Sequence, residues 1–135
     1  MDKEIAEAIN AANDALYHLE LARDKLKSAK RFGILDIVGG GLIISMIKRG
    51  RIGDAGKELR AASAAISSLR EELRDVNMYL DTDLKGFDSL GFMETMFDNV
   101  FLDFIAQGKI NEALENVAEA TGTIEGILDA LSDLA

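Results

Sequence analysis

Residues 59–80 read LRAASAAISSLREELRDVNMYL, and their apolar side chains recur at alternating steps of three and four residues. The residues on this stripe are Leu59, Ala62, Ile66, Leu69, Leu73, Val76 and Leu80. Because an α-helix turns once in about 3.6 residues, this spacing puts all of them on one face, as in a coiled coil. The stretch therefore predicts a long amphipathic helix that begins near Asp54 and ends near Leu80.

Two further amphipathic helices are predicted by stripes of the same kind, over residues 2–31 and 111–134. The first stripe contains Ile5, Ile9, Ala12, Leu16, Leu19 and Leu26, and Arg23 interrupts it. The last stripe contains Leu114, Val117, Ile124, Leu128 and Leu131, with Thr121 between them. Since an amphipathic helix is stabilised mainly by burying its apolar face, we expect the three helices to share one core.

The segment Phe32–Ile47 is apolar on nearly all sides and is interrupted only by Asp36, Ser45 and glycines. It is too short for a transmembrane helix, which needs about 20 apolar residues, and a helix without a polar face is usually buried. The triple glycine Gly39, Gly40 and Gly41 costs a helix about 1 kcal/mol per residue relative to alanine. This cost indicates close helix packing or a local break, and Asp36 either caps the helix or pairs with a base such as Lys48.

A fourth amphipathic helix is predicted from about Ser89 to Gln107, after a turn over residues 81–91. Its broad apolar face contains Met93, Met96, Phe97, Val100, Phe101, Phe104 and Ile105. Short connections favour antiparallel neighbours, so the fold class is all-α, an up-and-down bundle of about five helices in a single domain. Residues 1–31 form the leading helix, residues 32–80 a first helix pair and residues 88–134 a second pair.

The two predicted helix pairs resemble each other when the chain is shifted by 58 residues. Ile47, Gly50, Ile52, Ala55, Ala62, Ile66, Leu73 and Asp75 then fall on Ile105, Gly108, Ile110, Ala113, Ala120, Ile124, Leu131 and Asp133. Two amphipathic helices can match by period alone, but the turn residues are not dictated by that period. The pattern therefore predicts a duplicated unit of short apolar helix, glycine turn and long amphipathic helix.

The residues Phe32-Gly33, Asp36, Gly39-Gly40-Gly41-Leu42-Ile43, Lys48 and Asp54-Ala55 form one motif. It resembles that of a family of uncharacterised bacterial all-helical proteins, aromatic-Gly-x-x-Asp-x-x-Gly-Gly-Gly-Leu-Ile. The motif covers about a fifth of the chain and departs from the family in having Phe32 and Leu35 where tryptophan is expected, and Gly53 near a helix start. The resemblance implies a helical fold and no assigned activity.

The residue types argue against an enzyme and against a metal or other cofactor. The 135-residue chain has no cysteine and a single histidine, His18, so neither a thiolate nor a Glu-x-x-His pair of di-iron sites is possible. Asp14 and His18 lie one helical turn apart and could bind a metal weakly, but His18 is interpreted as a structural surface histidine. Asp81–Gly86 resembles the start of a calcium loop, but Lys85 and Phe92 stand where oxygen ligands belong.

Charge is distributed unevenly along the chain. Residues 81–135 contain twelve acids and two bases, whereas the formal net charge of the whole chain is -9. An acidic surface repels phosphates, so a nucleic-acid partner is not expected. Bases cluster at Lys25, Lys27, Lys30 and Arg31 and again at Lys48, Arg49 and Arg51. These clusters are either solvated helix ends or a contact patch for an acidic partner or anionic lipid.

These features predict a cytoplasmic, non-enzymatic interaction or scaffold protein that acts through helix surfaces and self-associates. The candidate packing or interaction residues are Asp36, Gly39, Gly40, Gly41, Lys48, Arg49 and Arg51. One alternative is a peripheral membrane protein, because bases flank the apolar segment 32–47. Another is a carrier of small apolar ligands with a pocket among Phe97, Phe101, Phe104 and the methionines.

Overall fold

A computed structural model describes residues 2–31, 51–80, 90–91, 93, 97 and 109–135 of the chain. Three helices account for most of these residues: α1 (Asp2–Arg31), α2 (Arg51–Leu80) and α3 (Ile110–Leu134). No strand occurs in this part of the chain, which confirms the all-α prediction for it. Within the same ranges, every helix is too short or too polar to span a lipid bilayer.

The predicted bounds of α1 agree with the structure, and α3 begins one residue earlier than predicted. The predicted start of α2 near Asp54 is three residues late, because α2 begins at Arg51 and already includes Gly53. One glycine costs a helix about 1 kcal/mol, which is small beside the packing that holds a helix of this length. Of the predicted fourth helix, Leu90, Gly91 and Met93 have helical backbone, and most of the rest lies outside the described residues.

Helix α1 lies between the other two helices and packs along both of them, whereas α2 and α3 make little or no direct backbone contact. His18 of α1 contacts Glu58 of α2, and Glu7 lies beside Glu72, so α1 and α2 run antiparallel. Near α3, Ile5 and Ile9 line one groove with Ala135, and Leu16 and Arg23 line another with Thr121. Helix α1 is therefore antiparallel to α3 as well.

The core follows a heptad spacing on all three helices. The fully buried residues at alternating steps of three and four are Ile5, Ala8, Ala12, Ala15, Leu19, Ala22 and Leu26 on α1, Leu59, Ala62, Ile66, Leu69, Leu73 and Val76 on α2, and Ile110, Ala113, Val117, Ala120, Ile124, Ile127 and Leu131 on α3. Leu90, Met93 and Phe97 belong to the same cluster. Four alanines on α1 let its neighbours approach closely, because interaxial distance depends on the side chains at the contact.

The predicted stripe of α2 is confirmed from Leu59 to Val76, but those of α1 and α3 were wrong in part. The stripes included the buried Ala12, but they missed the other buried alanines of α1 and α3, as well as Ile110 and Ile127. They also included Ile9, Leu16, Leu114 and Leu128, which are only partly buried. The prediction relied on the larger apolar side chains, whereas the alanines beside them face the centre of the core.

Candidate interaction surface

A groove of about 300 Å³ runs between α1 and α3 outside the core. Leu16, Glu20 and Arg23 of α1 and Thr121 and Glu125 of α3 line it. The Thr121 hydroxyl donates a hydrogen bond of 2.8 Å to the carbonyl oxygen of Val117, so this hydroxyl has a hydrogen-bond acceptor within its own helix. The groove therefore combines an apolar floor with charged walls.

The apolar residues of this groove follow from the heptad. We define the edge residues as Ile9, Leu16, Leu114, Thr121 and Leu128; each directly follows a fully buried position and is itself half-buried. Leu114 and Leu128 lie one heptad before and after Thr121, so the three share a face of α3. The edge residues give α1 and α3 a second apolar seam that the three helices leave partly open to solvent.

The outer face of α3 is strongly acidic. Glu112, Glu115, Glu119, Glu125, Asp129 and Asp133 are all exposed, and residues 110–134 contain no base. Glu115 and Glu119, like Glu125 and Asp129, are four residues apart, a spacing at which like charges destabilise a helix. Since α3 contains no base, no ion pair within the helix offsets this repulsion, which is a reason to expect a function for the acidic face.

The same face contains two glycines that α3 does not need for its own packing. Gly122 and Gly126 are exposed, and a β-carbon added at either position would meet no atom within 4 Å. We expect the double substitution Gly122→Ala and Gly126→Ala to raise the free energy of unfolding by about 1–2 kcal/mol, because alanine is the better helix former by up to about 1 kcal/mol per site. Urea denaturation monitored by circular dichroism measures this; a loss of stability would mean that both positions are packed.

Exposed bases lie on the last turns of α1, at Arg23, Lys25 and Lys27. The guanidinium of Arg23 is 3.7 Å from the carboxylate of its neighbour Asp24 and is half exposed, so this pair contributes little to stability. Because α1 and α3 are antiparallel, and Leu16–Arg23 lies alongside Thr121–Glu125, these bases lie level with the N-terminal half of α3. Positive and negative surfaces thus lie side by side on one molecule.

His18 is not the surface histidine that the sequence predicts, since it is partly buried between α1 and α2. Its Nε2 is 3.7 Å from Oδ1 of Asp14, and its Nδ1 is 3.5 Å from Oε1 of Glu58 on α2. The two carboxylates face opposite ring nitrogens, so they do not converge on one ligand position. Among the described residues, no group of three or more His, Asp or Glu side chains is arranged to hold a metal ion.

Two carboxyl groups meet across α1 and α2, at Glu7 and Glu72. Burial raises the pKa of Glu72 above its ordinary value of 4.5, and the charge of Glu7, a hydrogen bond to Glu7, and the charges of Asp75 and Glu71 raise it further. One oxygen of Glu72, Oε2, is buried without a hydrogen-bond partner. A hydrogen bond between two carboxyl groups requires a proton, so the folded protein holds a proton here more tightly than the unfolded chain does.

Replacing Glu72 with glutamine is expected to stabilise the protein at pH 7 and to have progressively less effect as the pH falls toward 4.5. A raised pKa in the folded state means that ionised Glu72 opposes folding above that pKa, and this cost disappears as the group is protonated. Glutamine is neutral throughout, so it removes the cost at every pH. Urea denaturation of both proteins between pH 4 and 8 tests this; a stability difference that does not change with pH would contradict it.

Most of the residues singled out in the sequence lie outside the described residues: Asp36, Gly39, Gly40, Gly41, Lys48 and Arg49. Arg51 is the first residue of α2. Met93 and Phe97 are buried in the core cluster, whereas Phe101 and Phe104 of the predicted ligand pocket fall outside the described ranges. Four of the edge residues, Ile9, Leu16, Leu114 and Leu128, were visible in the sequence as apolar positions, but the sequence interpretation placed them in the core.

The chain was compared with protein families, with curated proteins and with solved structures. No family, no curated protein and no solved structure matches it. A proposal for its function therefore depends on the α1/α3 groove and the charged faces beside it.

Proposed function

We propose that the protein is a non-enzymatic interaction or scaffold protein that acts through the outer surfaces of its helices and associates with itself. The observation that carries this proposal is the segregation of charge beside an apolar groove: six exposed carboxylates on α3, with no base, beside the bases of α1. Complementary potentials on one molecule favour association with a second copy and disfavour partners of the wrong charge.

Sedimentation velocity on the purified chain, at concentrations up to about 100 µM, tests self-association. We expect the sedimentation coefficient to rise with concentration, and the rise to weaken in salt, because the Debye length falls from about 10 Å at 0.1 M to about 3 Å at 1 M. A chain that stays strictly monomeric over this range, and for which no helical partner is found, would contradict the proposal.

We also propose the finer architecture predicted from the sequence, a bundle of about five helices with a duplicated short-helix/long-helix hairpin. Its support is that Leu59, Ala62, Ile66, Leu69 and Leu73 of α2, and the residues 58 positions later in α3, are all buried. Carbon chemical shifts of residues 32–47 and 89–107 test this architecture. Helical values are expected in both segments, and extended values in either would contradict it.

A cytoplasmic location is part of this proposal. The absence of cysteine suits a reducing compartment, because such a chain requires no disulfide for stability. Fractionation of cells that express the tagged full chain tests the location. Recovery with the soluble cytoplasmic fraction is expected, and recovery with membranes at physiological salt would instead favour the alternative of a peripheral membrane protein.

A further inference from the structure

We propose that the seam between α1 and α2 is a pH-sensitive lock, which takes up protons at two places and holds the two helices together more tightly in acid. We define the α1/α2 seam as Glu7, Asp14 and His18 of α1 and Glu58 and Glu72 of α2, which the structure brings together in two clusters. The inference goes beyond the proposed self-association, because it concerns a single copy of the chain and needs no partner.

The first proton-binding place is the ring of His18. Oδ1 of Asp14 is 3.7 Å from its Nε2, and Oε1 of Glu58 is 3.5 Å from its Nδ1. A neutral imidazole has only one N–H, so one of the two carboxylates must face an unprotonated nitrogen, and Nδ1 is indeed buried without a hydrogen-bond partner. Only the imidazolium presents an N–H to both carboxylates. An imidazole in water gains its second proton near about pH 6.5.

The second proton-binding place is the pair of Glu7 and Glu72. Their carboxyl groups share a hydrogen bond across the two helices, and Oε2 of Glu72 is buried without a partner. Ionised carboxylates only accept hydrogen bonds, so this bond requires a proton. Burial, together with the charges of Glu7, Asp75 and Glu71, raises the pKa of Glu72 and moves the uptake of this proton toward neutral pH.

Both places lie on one face of each helix. At about 100° per residue, the three α1 residues of the seam fall within about 40° of one another, and the two α2 residues do the same. Ile9 and Leu16, which line grooves near α3, lie about 160° round α1 from Glu7 and Asp14. Helix α3 therefore packs on another side of α1, and the seam belongs to α1 and α2.

The surroundings of the seam are mostly acidic. The other ionisable residues that contact its members, or lie one turn from them on the same helix, are Lys3, Glu4 and Tyr17 on α1 and Asp54, Glu71 and Asp75 on α2. Because carboxyl groups outnumber bases here, like charges repel one another across the seam, and each bound proton reduces that repulsion.

The two places respond to pH in the same direction. The ion pairs of His18 exist only while its ring is protonated, so their contribution is present in acid and lost above neutral pH. Ionised Glu72 opposes folding, and this cost also disappears as the group is protonated. Acidification therefore strengthens both contacts between α1 and α2.

Urea denaturation at pH 5 and pH 8, at one low protein concentration, tests the His18 end of the lock. The net charge of -9 means that acid relieves general repulsion in every variant, so each is compared with the natural chain. Between pH 8 and pH 5, we expect the unfolding equilibrium constant of the natural chain to fall about threefold to tenfold further than that of His18→Gln, the range for two partly exposed ion pairs. Glu58→Gln is expected to lose much of the same response, and the double variant no more than His18→Gln.

Glu72→Gln tests the other end, because the glutamine amide donates a hydrogen bond to Glu7 at every pH. We expect this variant to be more stable than the natural chain at pH 8 and to approach it at pH 5. Since about three helical turns separate Glu7 from His18, the effects of Glu72→Gln and His18→Gln on the pH response are expected to be independent.

The control is Glu20→Gln, which removes an exposed carboxylate of α1 on the side that faces α3. Its pH response is expected to match that of the natural chain within about twofold. Circular dichroism checks that each variant is helical, and Glu58→Gln alone carries the comparison if His18→Gln is not. A pH response of His18→Gln or Glu58→Gln equal to that of the control overturns the lock, even if Glu72→Gln behaves as expected.

Discussion

Replacing Leu19 with alanine is expected to lower the free energy of unfolding by about 2–5 kcal/mol, the usual cost of truncating a fully buried leucine. Leu19 is 0% exposed and lies at a core position of α1, the helix that packs on both others. Its truncation removes contacts within the central cluster and leaves a cavity that long, continuous helices cannot easily close. Equilibrium denaturation in urea, followed by circular dichroism, measures the loss.

The matched control is Leu16→Ala, which removes the same atoms one turn away on the same helix. Leu16 is an edge residue and only half-buried, so we expect a loss of less than about 1.5 kcal/mol in the monomer. Both variants are measured at the same low protein concentration. Equal losses for the two variants would show that the described distinction between core and edge positions is wrong.

Enlarging Ala15 to leucine is expected to cost about 1–3 kcal/mol, although leucine is as hydrophobic as any side chain of the core. Ala15 is 0% exposed, and it belongs to the four-alanine face on which α1 approaches its neighbours. A larger side chain there must force the helices apart or adopt a strained rotamer. Thermal and urea denaturation of the variant, at equal protein concentration, provide the measurement.

Ala64→Leu is the control for this second prediction, because Ala64 is exposed on α2. The same added atoms there meet solvent, so we expect a change within about 0.5 kcal/mol. If Ala15→Leu were neutral or stabilising, the close approach of α1 to its neighbours would be refuted. The pair thus tests whether small residues, and not merely apolar ones, specify the core of α1.

Both predictions concern positions where the sequence pattern and the structure disagree. A helix whose apolar residues recur at three and four positions has an apolar face wide enough to include both the core and the edge positions. Large side chains such as Leu16 and Leu128 dominate that pattern, whereas Ala15 is equally common on exposed helix surfaces. Only a neighbouring helix at close range makes alanine the better core residue.

The contacts between helices could likewise not be predicted from the sequence pattern. The 3.7 Å contact of Asp14 with His18 joins residues one helical turn apart, whereas Glu58 comes from α2 and no periodicity indicates it. Glu7 and Glu72 are farther apart still along the chain. Local spacing reports which residues share a helical face, whereas the partner of that face depends on how the helices are arranged in space.

The sequence by itself determined that the described chain is helical and placed the ends of α1 and α3 to within one residue. It also determined which face of α2 is buried. These properties follow from local periodicity and from the absence of proline. Tertiary structure alone decided that α1 is the central helix, that alanines and not Ile9 or Leu16 face the core, and that the edge residues border an open groove. The physical reason is that burial is a property of neighbouring helices, and their distance and order along the bundle are not encoded in the period of any one of them.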